Sequence, residues 1–110
     1  MELTRGTILL ASGPGEFTGK PRPFLVVQAD LFNAAHSSIT LLPITSILSG
    51  NGLFRVVIVA APETGLHQDS EAQVDKVQTL RRARVVKLIG QAPATVMEQI
   101  DQALRRWLAL

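Results

Sequence analysis

An arginine held between two prolines is the side chain in this sequence best suited to phosphate chemistry. Arg22 stands between Pro21 and Pro23, directly before an apolar run that begins at Phe24. The two prolines restrict the backbone on both sides, so the guanidinium is held in place. Such a group keeps its charge at physiological pH and can donate paired hydrogen bonds to a phosphate. The same pattern also fits a strand entry whose prolines protect a sheet edge.

Two hydroxyl side chains follow another apolar run. Thr45 and Ser46 come directly after Pro43 and Ile44, where a strand is expected to give way to a loop. Each hydroxyl can donate a hydrogen bond to a phosphate oxygen, or can simply cap the following turn. An arginine and a threonine together can stabilise the charge that develops when a ribose 2′-hydroxyl attacks the adjacent phosphate, without a metal ion. The proton-transfer partner stays open, because arginine hardly releases a proton.

The residue types that are missing narrow the chemistry further. The chain has no cysteine, which excludes disulfides, thiolate catalysis and thiolate metal sites. Its two histidines, His36 and His67, have no metal-binding spacing, and we interpret both as surface or turn residues. The sequence contains no phosphate-binding glycine loop and no nucleophile-elbow motif. Any catalysis therefore uses arginine, hydroxyl, amide and carboxylate groups, with no metal and no cofactor.

Positive charge is unevenly distributed along the chain. The formal net charge is only +2, but residues 81–87 carry Arg81, Arg82, Arg84 and Lys87 without one acid. Such a cluster can follow a phosphate backbone. It can equally be the solvated face of an edge strand, whose charges discourage pairing with other strands.

Short β-prone runs separated by turn signals dominate the first 90 residues. The predicted strands are Thr7–Ala11, Phe24–Ala29, Ile39–Leu42, Phe54–Ala60, Ala72–Asp75 and Val85–Ile89. Residues 12–23, with three glycines and three prolines, form a long loop. The turn-forming residues Ser49–Gly52 predict a hairpin into the apolar strand that follows.

The pattern changes to a helical period from Pro93 onward. Val96, Ile100, Leu104 and Trp107 fall on one helical face. The predicted fold class is therefore mainly β with α, a small barrel of strands followed by a C-terminal helix.

Length and composition predict one domain over residues 1–110. The sequence is 46% hydrophobic and 18% charged, which excludes disorder and predicts apolar surface that an oligomer would cover. The longest apolar run, residues 56–61, is far shorter than the roughly 20 residues of a membrane span and predicts a buried strand. With no export signal expected either, we predict a cytoplasmic protein.

Taken in order, several of these segments resemble the MazF/PemK/Kid family, the toxins of toxin–antitoxin modules. They are Arg5-Gly6, the run from Lys20 to Val27, Pro43 to Ser46, Asp75 to Thr79, and Val86 to Gly90 before the final helix. The resemblance implies an SH3-like β-barrel, a homodimer, metal-independent and sequence-selective cleavage of single-stranded RNA, and inhibition by a cognate antitoxin.

The resemblance also implies roles for particular residues. Arg22 aligns with the catalytic arginine of the family and Thr45 with its catalytic threonine. Glu16 and Ser46 are candidates for a third catalytic or RNA-contacting residue. The RNA-binding candidates are Lys20, Asp75 and Gln78.

Four positions depart from the family pattern. Thr7 stands where an aspartate is usual, and Glu16 lies six residues before Arg22 instead of five. Gln73 and Gln78 replace residues that are basic in some members. The residues at Thr7, Gln73 and Gln78 keep open a member that retains the fold and the dimer but has lost activity.

A related fold with another target is the alternative: a CcdB-like toxin that binds DNA gyrase and has no enzymatic activity. Residues 25–30 and the C-terminal Trp107 resemble that branch. Trp107 would then be an exposed anchor for the partner, whereas in a ribonuclease it would be the last core residue of the helix. Arg22 favours the ribonuclease, because a gyrase binder does not need an arginine fixed beside hydroxyl groups.

Overall fold

The structure, a computed structural model, describes residues 2–12 and 20–110. Glu16, one of the candidates for the site, lies outside these residues. The strands are β1 (Thr7–Ala11), β2 (Arg22–Val26), β3 (Ser38–Thr45), β4 (Arg55–Ile58), β5 (Ser70–Gln73), β6 (Gln78–Arg81) and β7 (Val85–Gln91). The α-helices are α1 (Asp30–Asn33) and α2 (Ala94–Leu108), and single 3-10 turns cover Val74–Lys76 and Arg82–Arg84.

All seven strands belong to one antiparallel sheet. Its order is β4-β5-β3-β2-β1-β7, and β6 pairs with the first half of β3 while β5 pairs with its end. The mainly β fold class with a C-terminal helix is confirmed. The sheet is not closed, however: within the described ranges the outer strands β4 and β7 do not pair with each other. The predicted barrel is therefore an open sheet.

The turn at residues 63–65, which follows β4, contacts β7 in place of a ladder between the outer strands. The backbone N–H of Gln91 donates to the carbonyl of Glu63 at 2.7 Å. The two backbones approach so closely that a Cβ on Gly90 would meet the carbonyl oxygens of Thr64 and Glu63, and one on Gly65 would meet that of Ile89. Contact between the turn and β7 joins the two ends of the sheet without strand pairing.

Alternation along the strands buries both faces of the sheet. One cluster contains Ile8, Leu25 and Leu42 and is covered by Ile100 and Ala103 of α2. A second cluster forms on the opposite face. Its buried members are Leu3, Leu9, Ala11, Phe24, Val26, Ile39, Leu41 and Leu80. Each fully buried Leu or Ile side chain contributes about 1.5–3 kcal/mol, so the two clusters fix the register of the strands.

Helix α2 follows the predicted pattern, with one exception. It begins after Pro93, and Ala109, with φ of 58°, ends it in the left-handed region. The prediction of Trp107 as a core residue is wrong. Its side chain is 44% exposed, and its ring packs edge-to-face on Phe54 with centroids 5.1 Å apart.

The prediction of a hairpin at Ser49–Gly52 is also wrong. Strand β4 pairs with β5, in the register Arg55↔Gln73, and β5 lies between β4 and β3. The physical reason is that β5 occupies the edge of β3 onto which the chain would otherwise turn back. The turn itself is attached to β5, where the carboxylate of Glu71 accepts hydrogen bonds from Ser49 and Gly50.

Residues 56–61 are not uniformly buried either. Val56 and Ile58 are buried, whereas Val57 and Val59 are 47% and 60% exposed. The run therefore contributes one face to the core and leaves the other apolar and open.

We expect Gly90→Ala to lower the free energy of unfolding by about 1–3 kcal/mol, since the added methyl group would force two backbones apart. Gly52→Ala is the matched control, because a Cβ there meets nothing within 4 Å. Urea unfolding of both variants checks this. Equal stability of Gly90→Ala and the unsubstituted protein would contradict the close approach.

Candidate active site

A groove of about 1280 Å³ crosses the sheet where several strands begin or end. Five of the candidates predicted from the sequence line it: Lys20, Arg22, Thr45, Ser46 and Gln78. Asp75 does not. The structure thus brings together residues from β2, β3, β6 and the segment before β2.

The register of the sheet explains why Arg22 and Thr45 line the same groove. Strands β2 and β3 are antiparallel, with Phe24 opposite Pro43. The pairing ends at this point, two residues from Arg22, the first residue of β2, and two residues from Thr45, the last residue of β3. Residues two apart along a strand share a face, so Arg22 lies on the face of Phe24 and Thr45 on the face of Pro43. Residues opposite each other in an antiparallel pair project from the same face of the sheet. The guanidinium and the hydroxyl therefore occupy the same end of the groove.

Strand β1 holds the first residues of β2 in place. Arg22 stands opposite Ala11 of β1, and Pro23 stands opposite Leu10. A proline has no N–H to contribute to a ladder, but it restricts the backbone next to the arginine. The segment can therefore both begin a strand and present its arginine to a phosphate, so the two interpretations are compatible.

The hydroxyl of Thr45 has a structural partner as well. Its Oγ1 accepts a hydrogen bond from the backbone N–H of Ile47 at 3.1 Å. This bond caps the turn after β3, which was one of the two interpretations of the threonine. It also orients the hydroxyl, whose proton stays available to a ligand because the contact uses only a lone pair.

The charged side chains that the structure describes in the groove are all positive. Of the described residues that line it, the cationic ones are Lys20, Arg22, Lys76 and Lys87, and none is acidic. A cleft lined by cations attracts polyanions and raises their local concentration. The basic cluster at residues 81–87 therefore divides: Lys87 reaches the groove, whereas Arg82 Nε donates to the carbonyl of His36 at 3.3 Å.

Polar neutral side chains complete the lining. They are Ser46, His67, Gln68, Ser70, Gln73 and Gln78. Amides can both donate to and accept from the edges of nucleobases. The sequence pattern did not single out Gln68, Lys76 or His67 as groove residues, because their turns approach the groove only through tertiary packing.

Asp75 is engaged elsewhere. Its carboxylate accepts from Arg55 Nε at 2.9 Å and from Nη2 at 3.4 Å, which joins β4 to the 3-10 turn after β5. The hydrogen bond from the Arg55 guanidinium lowers the pKa of Asp75 below 3.8, despite the opposing effect of burial. Its predicted contact with RNA stays a prediction, and the contacts seen here give it a structural role.

Glu71 is a buried carboxylate that the sequence analysis did not select. It is 2% exposed and stands opposite Thr45 across the ladder between β3 and β5. Burial on its own raises the pKa, but hydrogen bonds from the Ser49 backbone and side chain and from Gly50, together with the charge of Arg55, lower it below 4.5. No local signal identifies this role, since Ser49 is distant in the sequence.

Residues 2–12 and 20–110 contain no group of three His, Cys, Asp or Glu side chains placed to hold a metal ion. Neither helix within these ranges is long and apolar enough to cross a membrane.

The fold is that of the MazF toxins. The structure superposes on the Mycobacterium tuberculosis toxin MazF-mt6 with a TM-score of 0.80 at 24% identity, covering 94% of this chain and 97% of that one. A MazE–MazF structure from Deinococcus radiodurans gives a TM-score of 0.82 at 22% identity, covering 100% and 98%.

Sequence comparison identifies the family. Residues 4–108 match the PemK-like, MazF-like toxins of type II toxin–antitoxin systems. A probable endoribonuclease MazF from Mycolicibacterium smegmatis is 37% identical over 98% of both chains. Endoribonuclease MazF6 from Mycobacterium tuberculosis is 33% identical, with full coverage of both. The chain belongs to the PemK-like, MazF-like toxin family. The predicted family is thereby confirmed, and the relatives' names favour the ribonuclease over the gyrase binder.

The carboxylate of Glu71 predicts how stability changes with pH. Its pKa in the folded chain lies below the unfolded value near 4.5, so the ionised form stabilises the fold. This contribution is complete above pH 4.5 and is lost as the pH falls through the lowered pKa of the folded state. We expect the free energy of unfolding to decrease below pH 4.5, and to decrease less steeply in Glu71→Gln.

Urea unfolding of both proteins between pH 7 and pH 3 measures this difference. The remaining slope in Glu71→Gln would come from Asp75, whose pKa is also lowered. Identical slopes in the two proteins would show that Glu71 is not stabilised in its ionised form.

Proposed function

We propose that the chain is the toxin of a toxin–antitoxin module, an endoribonuclease that cleaves single-stranded RNA without a metal ion, with Arg22 and Thr45 as catalytic residues. The observation that carries this proposal is the cationic groove, whose described lining contains no acid and in which Arg22 and Thr45 lie on the same face of the sheet. The names of the curated relatives, endoribonuclease MazF and MazF6, support the same reaction.

The reaction that fits this site is attack of the ribose 2′-oxygen on the adjacent phosphorus. The new bond to the 2′-oxygen forms while the bond to the 5′-oxygen breaks. A proton leaves the 2′-hydroxyl and one is gained by the 5′-oxygen, giving a 2′,3′-cyclic phosphate and a 5′-hydroxyl. Negative charge builds up on the non-bridging oxygens, so donors fixed near them lower the barrier.

Arg22 supplies the fixed positive charge at this position. Its guanidinium can donate two parallel hydrogen bonds to the non-bridging oxygens, and the hydroxyl of Thr45 can donate a third. The lysines along the groove hold the flanking phosphates. Ser46, Lys20 and Gln78 line the same groove, and we propose that they contact RNA beside the cleaved bond.

The assembly and location follow from the same class of protein. We propose that residues 1–110 act as one domain, that the chain forms a homodimer, and that it works in the cytoplasm, where its RNA substrate is found. A cognate antitoxin would inhibit it, as the MazE–MazF complexes of Deinococcus radiodurans suggest by their composition. The exposed apolar side chains, among them Val57, Val59 and Leu31, offer surface for such contacts.

Arg22→Ala is expected to lower cleavage of a mixed single-stranded RNA, assayed in EDTA, by about 100-fold or more, because it removes the fixed charge at the phosphate. Arg105→Ala is the matched control, since Arg105 is an exposed arginine on α2 outside the groove. Circular dichroism checks that both variants keep the fold. Cleavage by Arg22→Ala at the unsubstituted rate would overturn the assignment, and a block of gyrase supercoiling with intact RNA would favour the CcdB-like alternative.

A further inference from the structure

We infer that Glu71 is a positioning residue for the reaction: its buried carboxylate holds the loop of residues 46–54, called the 46–54 loop below, against the groove next to Thr45. The inference rests on the proposed function of that groove. It assigns a role to a side chain that does not itself line the groove.

Three hydrogen bonds end on this carboxylate. One oxygen accepts from the Ser49 hydroxyl at 2.9 Å, and the other accepts from the backbone N–H groups of Ser49 at 3.0 Å and Gly50 at 3.3 Å. Hydrogen bonds to a charged acceptor are stronger than neutral ones, and more so where water is excluded. Glu71 therefore forms a strong attachment point for the tip of the loop.

The loop buries no apolar side chain over its first eight residues. Residues 46–53 are all exposed, and the two large apolar side chains near its start, Ile47 and Leu48, are 76% and 53% exposed. Without apolar burial, the position of such a segment depends on its polar contacts. The attachment at Glu71 thus sets where this loop lies.

This attachment lies close to the proposed catalytic hydroxyl. Thr45 stands directly opposite Glu71 in the β3–β5 ladder. The segment from Thr45 to Ser49 is short, and the first two residues after Thr45, Ser46 and Ile47, line the groove. Ile47 is also the residue whose N–H bonds the Thr45 hydroxyl. Fixing Ser49 therefore restrains both the groove wall and the orientation of that hydroxyl.

Further hydrogen bonds carry the restraint to the far end of the loop. Asn51 N–H donates to the Ser49 hydroxyl oxygen at 3.2 Å, and Leu53 N–H donates to Asn51 Oδ1 at 3.1 Å. The loop then docks on α2, where Arg106 Nη2 donates to the Leu53 carbonyl at 3.2 Å and Phe54 packs on Trp107. Because Trp107 is the one tryptophan of the sequence and there is no tyrosine, its fluorescence reports on this docking.

The direct test replaces Glu71 by a side chain of similar size that cannot accept hydrogen bonds. In Glu71→Leu we expect hydrogen exchange in residues 46–54 to become about tenfold faster or more, as for a segment that opens locally. We expect Trp107 emission to shift as the docking of Phe54 loosens. The kcat for RNA cleavage should fall about tenfold while KM changes less than about threefold, because positioning is lost and binding charge is kept.

Two further variants separate positioning from loss of fold. Glu71→Gln should recover most of the activity, since its amide oxygen can still accept both backbone N–H groups and its NH₂ can donate to the Ser49 hydroxyl. Asp69→Asn is the matched control: Asp69 accepts from the Ala60 backbone at 2.8 Å and so holds a different segment. It should leave exchange in the 46–54 loop and kcat unchanged.

The outcomes distinguish this inference from the proposed function. If Glu71→Leu does not fold, Ser49→Ala, which removes one donor at an exposed position, should still accelerate loop exchange and lower kcat. Unchanged exchange or unchanged kcat in the folded variants overturns the positioning role. If the unsubstituted protein cleaves no RNA, the proposed function fails, and a loop that exchanges at the same rate with and without Glu71 would refute the attachment independently.

Discussion

The ladder between β2 and β3 joins two side chains that are distant in the sequence. Its register is fixed by burial, because a slip of one residue would turn Phe24 and Leu25 to the wrong faces of a sheet that is buried on both sides. The same register puts Arg22 and Thr45 on one face of the sheet, each two residues beyond the last pair, Phe24 and Pro43. Core packing thus determines the geometry of the groove, and the prolines around the arginine limit the movement that remains.

Hydrogen bonds outside the sheet orient the side chains and the loop at the edge of the groove. The hydroxyl of Thr45 is bonded by Ile47, and the loop that contains Ile47 is attached to Glu71 on the next strand. These contacts lie outside the large apolar clusters, so they can loosen without unfolding the sheet. The apolar core holds the sheet together, while the hydrogen bonds at its edge position the site; those that end on Glu71 also stabilise the fold where its carboxylate is ionised.

Local sequence patterns predicted the parts of the fold that depend on nearby residues. Strand β1 has the predicted bounds, Thr7–Ala11, and α2 begins after Pro93 as expected. The hydroxyl-bearing end of β3 and the proline-flanked arginine were also recognisable, because each is marked by its own neighbours. The ordered set of such segments was sufficient to indicate the family.

Features that depend on long-range pairing were missed. The strand β6 is short and half exposed, so its four residues give no clear period. The hairpin at Ser49–Gly52 was wrong because turn-forming residues do not specify which strand comes next in the sheet. The open edge between β4 and β7, the burial of Glu71 and the partner of Trp107 all arise from contacts between distant segments. Sequence periodicity carries no information on these contacts.

The central claim is that Arg22 and Thr45 act on the same phosphate, and a double-mutant cycle tests it most directly. Single-turnover cleavage of one RNA would be measured for the unsubstituted protein, Arg22→Lys, Thr45→Val and the double variant. If both groups stabilise one transition state, the two effects are not additive, with a coupling energy of about 1 kcal/mol or more. Purely additive effects, or cleavage unchanged by either substitution, would contradict the account.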